Sequence, residues 1–437
     1  MHAAAAAALL IVLAACCCHA TPTCNLFDYG AVSGSPDPAV NTHAFARAIR
    51  ACCIAANAPS SDVWPVILLP PGTFLVASLD LSNCSNVQLR ISDNAVLLGS
   101  PSESDYPLVP PWPSYGVGRD VPTSMRYRPL LYATNASNLH ITGGGVVDGN
   151  GEPWYARFFE KTLKWSRPCL IECMFCTNLT IDNLHLKDSP FWNVHPYASR
   201  HVHIRNLLIT APPWAANTDG VDPDSCSHVL IENIIVRAGD DGIAIKSGLN
   251  AAGRSFGMPC EHVTIRNVTV HPLLDNLSTN GVSIGSEMSG GVRNVSIHNI
   301  TAIGVAAGIY IKSMQGRGGY VRNVTYSHVI LHRVLQPIKI VMKYSYDLPA
   351  FSPANFSDVP VDVPVFDSIV IDGVHGSSCD SAGAIFGLVS ESNITNLLLR
   401  DISISGALVD AVTWTQCEGA EGVAVDVAPQ PSCLPAG

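Results

Sequence analysis

The chain has 437 residues, with 25 Lys+Arg against 35 Asp+Glu, a formal net charge of −10, and 14% charged against 47% hydrophobic residues. So little charge excludes a disordered chain, a coiled coil and a charge-laced helical bundle, and the acidic balance argues against a general nucleic-acid binder. Gly at 34 and Pro at 31 are near average, which excludes collagen-like and low-complexity chains, and about 150 residues per domain gives a prior of roughly three domains.

The first element is a leader. Residues 3–18 are uncharged and apolar, and Cys18-His19-Ala20 offers small residues before Thr21. This reads as a secretory signal peptide cleaved after Ala20, leaving 21–437 as one domain. The alternative is an uncleaved N-terminal anchor, because no Lys or Arg precedes the run. No other stretch is long and apolar enough to span a bilayer. Of 15 Cys, Cys16, Cys17 and Cys18 lie in the leader, and the even remainder suggests disulfides in a secreted chain. The expected pairings are among Cys169, Cys173 and Cys176, Cys417 with Cys433, and Cys226 with Cys260. A zinc site on Cys169, Cys173 and Cys176 is the competing reading, without a His at a suitable spacing. Ten Asn-x-Ser/Thr sequons, from Asn83 to Asn393, fit a glycosylated extracellular protein, although several belong to a structural repeat.

The spacing of Phe45, Ala48, Ile49 and Cys52 predicts an amphipathic helix over Asn41–Ala56. Beyond it a phrase recurs, as in Asn178-Leu-Thr-Ile-Asp-Asn-Leu-His-Leu and His262-Val-Thr-Ile-Arg-Asn-Val-Thr-Val. Its first apolar residues fall at 179, 202, 229, 263, 295 and 324, with weaker copies beginning at Asn86, Asn138, His201, Ser368 and Asn396. Period-2 alternation rich in Val and Ile predicts strands. Repetition at irregular intervals of 23 to 34 residues predicts a solenoid. The expected fold is all-β: a right-handed parallel β-helix of roughly eight to ten coils, capped by the N-terminal helix. Insertions at Glu103–Arg128 and Met342–Pro364 are placed to wall a cleft.

A second phrase aligns Asp219-Gly-Val-Asp-Pro-Asp, Asp241-Gly-Ile-Ala-Ile-Lys, Asn280-Gly-Val-Ser-Ile-Gly and Ala307-Gly-Ile-Tyr-Ile-Lys. Val221, Ile243, Val282 and Ile309 should point inward. Asp222, Ala244, Ser283 and Tyr310 then form one outward row, and Asp224, Lys246, Gly285 and Lys312 the next. Stacking brings Asp219, Asp222, Asp240 and Asp241 onto one patch, where repulsion raises at least one pKa. Carboxyls of divided protonation suit glycosidic cleavage, and Lys246 and Lys312 suit an acidic substrate. The alternatives are that turn aspartates only cap backbone amides, or that the cluster holds Ca²⁺. Trp192 and His195, one coil earlier, either meet a sugar or stack between coils.

Asn217-Thr-Asp-Gly220 followed by Gly239-Asp-Asp-Gly242 resembles the polygalacturonases, glycoside hydrolase family 28. Val282-Ser-Ile-Gly-Ser286, Ile309-Tyr-Ile-Lys312, Asp148-Gly-Asn-Gly-Glu-Pro-Trp154 and Ser189-Pro-Phe-Trp-Asn-Val-His195 extend the match. The resemblance covers about residues 25 to 415. It implies a parallel β-helix that hydrolyses pectic galacturonan with inversion and without a metal or other cofactor. By motif it implies Asp240 as general acid, Asp219 and Asp241 as the pair holding the attacking water, and Lys312 as a ligand of a galacturonate carboxylate. Asn217, Asp222, Tyr310, Asn280 and Lys246 complete the expected substrate-binding set. Two positions depart from the pattern. Asn280 stands where a Gly-His-Gly motif would have its His, and Tyr310 where Arg-Ile-Lys would have its Arg. Arg317 and Glu287 are candidates to replace that Arg and add a contact, against a structural ion pair between coils. The departures resemble a plant and bacterial branch of the family described as exo-acting. The expected partner is a pectic polysaccharide, with a monomer as the default state. A calcium-dependent pectate lyase and a non-catalytic wall-binding protein are the competing functions.

Overall fold

The computed structural model describes residues 21–56, 64–274, 276–344, 362–388, 394–407 and 412–437. The leader at 1–20, the core of the second insertion and the sequons at Asn355 and Asn393 lie outside the described residues. Strands stack in parallel from Thr23 to Ala428, and among the described residues 16 of them form one sheet. The opposite face is built from four strands (79–80, 131–134, 171–174, 194–197) and six (243–245, 276–284, 305–312, 336–341, 383–386, 414–418). Bridges of Val221 to Val194 and to Ile243 join the two groups. This is the expected parallel β-helix.

The repeat positions coincide with the register. Leu139, Leu179, Val202, Val229, Val263, Val295 and Val324 pair one on the next, followed by Ile369 and Leu397. All point into one continuous apolar core. Each repeat opens on a residue in the left-handed region, such as Asn178 (φ 57°), His228 (φ 57°) or Asn294 (φ 57°). Asn tolerates that conformation better than most residues. Stacking turns these positions into ladders: Asn178 donates to Asn138, and Asn299 to Asn267. The five sequons at Asn178, Asn267, Asn294, Asn299 and Asn323 therefore sit in this repeat as well.

The glycine shared by the second phrase has a steric cause. A Cβ on Gly220 would lie 2.3 Å from the Gly242 carbonyl oxygen, and one on Gly281 2.2 Å from that of Gly308. The coils meet here too closely for any side chain.

Helix α1 covers Pro38–Ala56, one turn longer than its apolar stripe. Asp37 accepts from the Ala39 N–H as an N-cap, and Pro38 fits the first helical position. Phe45, Ala48 and Cys52 are buried against the first coil while Ile49 is half-buried. Two short helices, α2 at Glu152–Phe159 and α3 at Asn250–Phe256, occupy loops that carried no helical pattern.

The disulfides are Cys24–Cys52, Cys53–Cys84 and Cys417–Cys433. Only the last matches the spacing argument. The cap helix takes the other bonds, tying itself to the first strand and to the turn before the third coil. Cys169, Cys173, Cys176, Cys226 and Cys260 are buried thiols. The Cys226 thiol donates to the Pro196 carbonyl and Cys260 to that of Pro223, while the Cys173 and Cys176 thiols hydrogen-bond each other.

Thiol titration of the denatured, unreduced chain from residue 21 onward is expected to find the six free cysteines. A count of two or fewer would restore the pairings expected from spacing. Cys52→Ser with Cys53→Ser should lower Tm, each bond contributing about 2–5 kcal/mol.

Candidate active site

The turn between the two faces places the aspartates. Val221, Ile243, Val282 and Ile309 are buried in the core and stack in register. The residues beside them therefore face outward, and Asp219, Asp240 and Asp241 enter at the edge of the same strands. One oxygen from each of these three carboxyls lies within 4.8 Å of the others.

Their surroundings differ. Asp241 is 1% exposed and is gripped from the coils that follow. Lys312 Nζ donates to one oxygen at 2.9 Å and Asn280 Nδ2 to the other at 2.7 Å. Asn280, the residue at the position of the missing His, thus holds Asp241 directly. Asp219 is 3% exposed; its Oδ2 receives Lys246 Nζ at 3.4 Å, while its buried Oδ1 has no hydrogen-bond partner. Burial raises the Asp219 carboxyl, Lys246 opposes that, and the Asp241 charge adds to it. Asp240 is half-buried and reaches the surface. It accepts from the backbone N–H of Asp241 at 2.9 Å and of Asn217 at 3.2 Å. Burial, then the charges of Asp219 and Asp241, push its pKa up to about 8. Asp240 therefore holds a proton at neutral pH beside the Asp241 carboxyl, which is clasped by two N–H donors.

The other expected residues are brought close but buried. Asp222 lies beneath Asp219, 3.3 Å from Lys246 Nζ. Burial and the Asp219 charge raise it well above the carboxylate range. Lys246 also approaches Glu287 at 3.5 Å and sits 4.5 Å from the Trp192 ring. Burial works against its ammonium, but Glu287, Asp222 and Asp219 raise its pKa well above the ordinary value. Glu287 accepts from Arg119 at 3.0 Å, so the ion-pair alternative describes it, with a partner other than Arg317. Arg317 is 0% exposed and donates to the Ser286 carbonyl and to Asn250. Asn217 Oδ1 accepts from Arg167 at 2.9 Å. Tyr310 faces outward in register between Ser283 and Lys339.

Glu287 and Trp192, which lie against Lys246, are themselves covered from one segment. The first insertion folds back as a strap. Trp112 stacks on Trp192 at 5.2 Å, Tyr115 donates to Asp224 at 2.7 Å, and Arg119 reaches Glu287. Below it Glu172 accepts from Trp112, Arg126 and His195, all buried. Burial pulls the His195 imidazole down, but Asp224 and Glu172 more than offset it and raise its pKa. Trp192 and His195 are thus coil-stacking residues under the strap. Glu172, Cys169 and His195 also cluster closely enough for a metal. The oxygens of Glu172 are already satisfied by N–H donors, which does not fit one.

Sequence reasoning missed Arg119 and Arg167, whose partners lie far along the chain. It also missed Trp214, 54% exposed at the rim three residues before Asn217, and Lys339. Trp214 precedes the Asn-Thr-Asp-Gly turn in an apolar stretch that could have flagged it.

The model for glycosyl hydrolases family 28 matches residues 123–427. A probable polygalacturonase of Vitis vinifera is 34% identical over 416 residues, covering 94% of this chain and 80% of the relative. Among solved structures, the hyperthermoactive exopolygalacturonase of Thermotoga maritima is 27% identical with a TM-score of 0.73, covering 90% of this chain and 89% of that one. The family 28 exopolygalacturonase of Yersinia enterocolitica shares the fold at 17% identity and a TM-score of 0.74, covering 94% and 77% of the two chains. Over most of its length, then, the chain belongs to glycosyl hydrolases family 28 and is a glycoside hydrolase.

Proposed function

We propose that the protein is a secreted polygalacturonase that hydrolyses α-galacturonan linkages of pectin with inversion. The observation that carries this is the Asp240 carboxyl, raised to about 8 and reaching the surface beside two recessed carboxyls. Asp240 protonates the leaving oxygen. Asp219 and Asp241 hold and deprotonate the attacking water, which fits the unpartnered Oδ1 of Asp219.

The oxygen spacing within 4.8 Å is tighter than the roughly 6.5–9.5 Å between carboxyls usual for inversion. Burial favours inversion nonetheless. Asp219 and Asp241 are 3% and 1% exposed and tied to ammoniums, so neither reaches an anomeric carbon in the cleft to form a covalent bond, whereas a water bridges the gap. The same ammoniums argue against a calcium-dependent lyase, since they already neutralise the oxygens a Ca²⁺ would need. Asn280 on Asp241 answers the missing His and favours a catalytic role over simple wall binding.

The strap supports exo action. It covers the outer face around Asp224 and Lys246, limiting how far a polymer extends past the aspartates on that side. Secretion rests on the sequence of residues 1–20 and on three disulfides.

With polygalacturonate and excess chelator, the wild-type protein should release saturated galacturonic acid monomer. Mixed oligomers would contradict exo action, an unsaturated product with chelator sensitivity would restore the lyase, and no reducing sugar from polygalacturonate would sink the assignment. Asp240→Asn should lower kcat roughly 10²- to 10⁴-fold without lowering Tm. A carboxyl raised to about 8 keeps its proton below that pH. The alkaline limb of kcat/KM in the wild type should therefore fall near pH 8; a limb near pH 4 would exclude Asp240 as the acid.

A further inference from the structure

One coil beyond Lys312, the outer face carries a second ammonium that the reaction above does not use. Lys339 lies on the strand Gln336–Val341 in register with Tyr310. Its Nζ stands 4.9 Å from the Tyr310 ring centroid, and Lys312 Nζ stands 4.9 Å from the same ring. Tyr344 closes edge-on against Tyr310 at 6.2 Å. The exposed Lys343 lies 4.0 Å from the Phe386 ring.

The cations of this site are otherwise committed. Lys246 is shared among Asp219, Asp222 and Glu287, and Lys312 is bound to Asp241. Arg317 is buried against a backbone carbonyl. Lys339 is half-buried, and among the described residues no carboxylate lies within ion-pair distance of it. Burial, then the charge of Lys312, lower its pKa. Among the described residues its surroundings thus hold a ring and a like charge but no anion. A partly desolvated ammonium in that position gains most from an anion that arrives with the ligand.

We propose that Lys339 is a substrate-binding, specificity-determining residue whose ammonium receives the carboxylate of a uronate residue. This rests on the polygalacturonase reading and adds which side chain tells an acidic sugar from a neutral or esterified one. Lys339 reads the ligand, and Lys312 keeps Asp241 in place.

The test measures binding separately from turnover. In an Asp240→Asn background, calorimetry with oligogalacturonates should show Lys339→Met weakening affinity roughly 10- to 100-fold, the loss expected for one charged hydrogen bond. Lys339→Arg should restore most of it. Affinity for the methyl-esterified oligomers should be weak and unchanged by Lys339→Met. In the active enzyme, Lys339→Met should raise KM for polygalacturonate with kcat changed less than about threefold, and should flatten the dependence of KM on ionic strength. Unchanged oligogalacturonate affinity and salt dependence in Lys339→Met would overturn the proposal. If the wild type released no sugar at all, the polygalacturonase reading would fall, while the calorimetry would still decide on Lys339.

Discussion

Backbone hydrogen bonds between successive coils fix their separation at about 4.8 Å, and the chemistry of the site depends on that spacing. Asp219 comes from one coil and Asp240 and Asp241 from the next. The ladder, not any attraction, holds their oxygens within 4.8 Å of one another. Left alone, such a cluster would protonate throughout or push the turns apart. Two lysines from the same strand column relieve it unevenly: Lys246 beside Asp219, Lys312 on Asp241. Asp240 has no such ammonium and takes the proton instead. The separation of roles among three identical side chains follows from which coils supply a cation.

Those cations stay in place because they are covered. The strap from residues 103 to 128 packs on Trp192 and pairs with Glu287, the two residues that lie over Lys246, and is itself anchored by buried charge. Arg126 and His195 meet on Glu172, and Tyr115 reaches Asp224. Removing one member of a buried pair typically costs about 3–5 kcal/mol, so loss of Arg126 or Glu172 alone should destabilise the strap.

Much of this was legible in the sequence because a solenoid is locally periodic. The repeat at 179, 202, 229, 263, 295 and 324 is the register itself, and the Gly-aliphatic phrase placed the aspartates together. What failed was whatever depended on distant segments. Lys246 read as outward-facing and Glu287 as a candidate substrate contact, and the Arg119 partner of Glu287, more than a hundred residues upstream, gave no local signal. Cys169, Cys173 and Cys176 are close in sequence yet stay thiols, Cys173 and Cys176 hydrogen-bonded to each other, while the cap helix pairs Cys52 and Cys53 with partners that spacing did not suggest. Lys339 carried no signal, because Pro337 stands where its strand would have had the recurring glycine.

The central claim is that the recessed pair, Asp219 and Asp241, acts through a water while Asp240 supplies the proton. The anomeric configuration of the first-formed product tests it most directly. Proton NMR during the first minutes of hydrolysis of an α-linked oligogalacturonate should show the β-anomer of the new reducing end appearing first and then mutarotating. The α-anomer appearing first would mean a covalent intermediate on one of the two recessed aspartates and would contradict the roles assigned to all three.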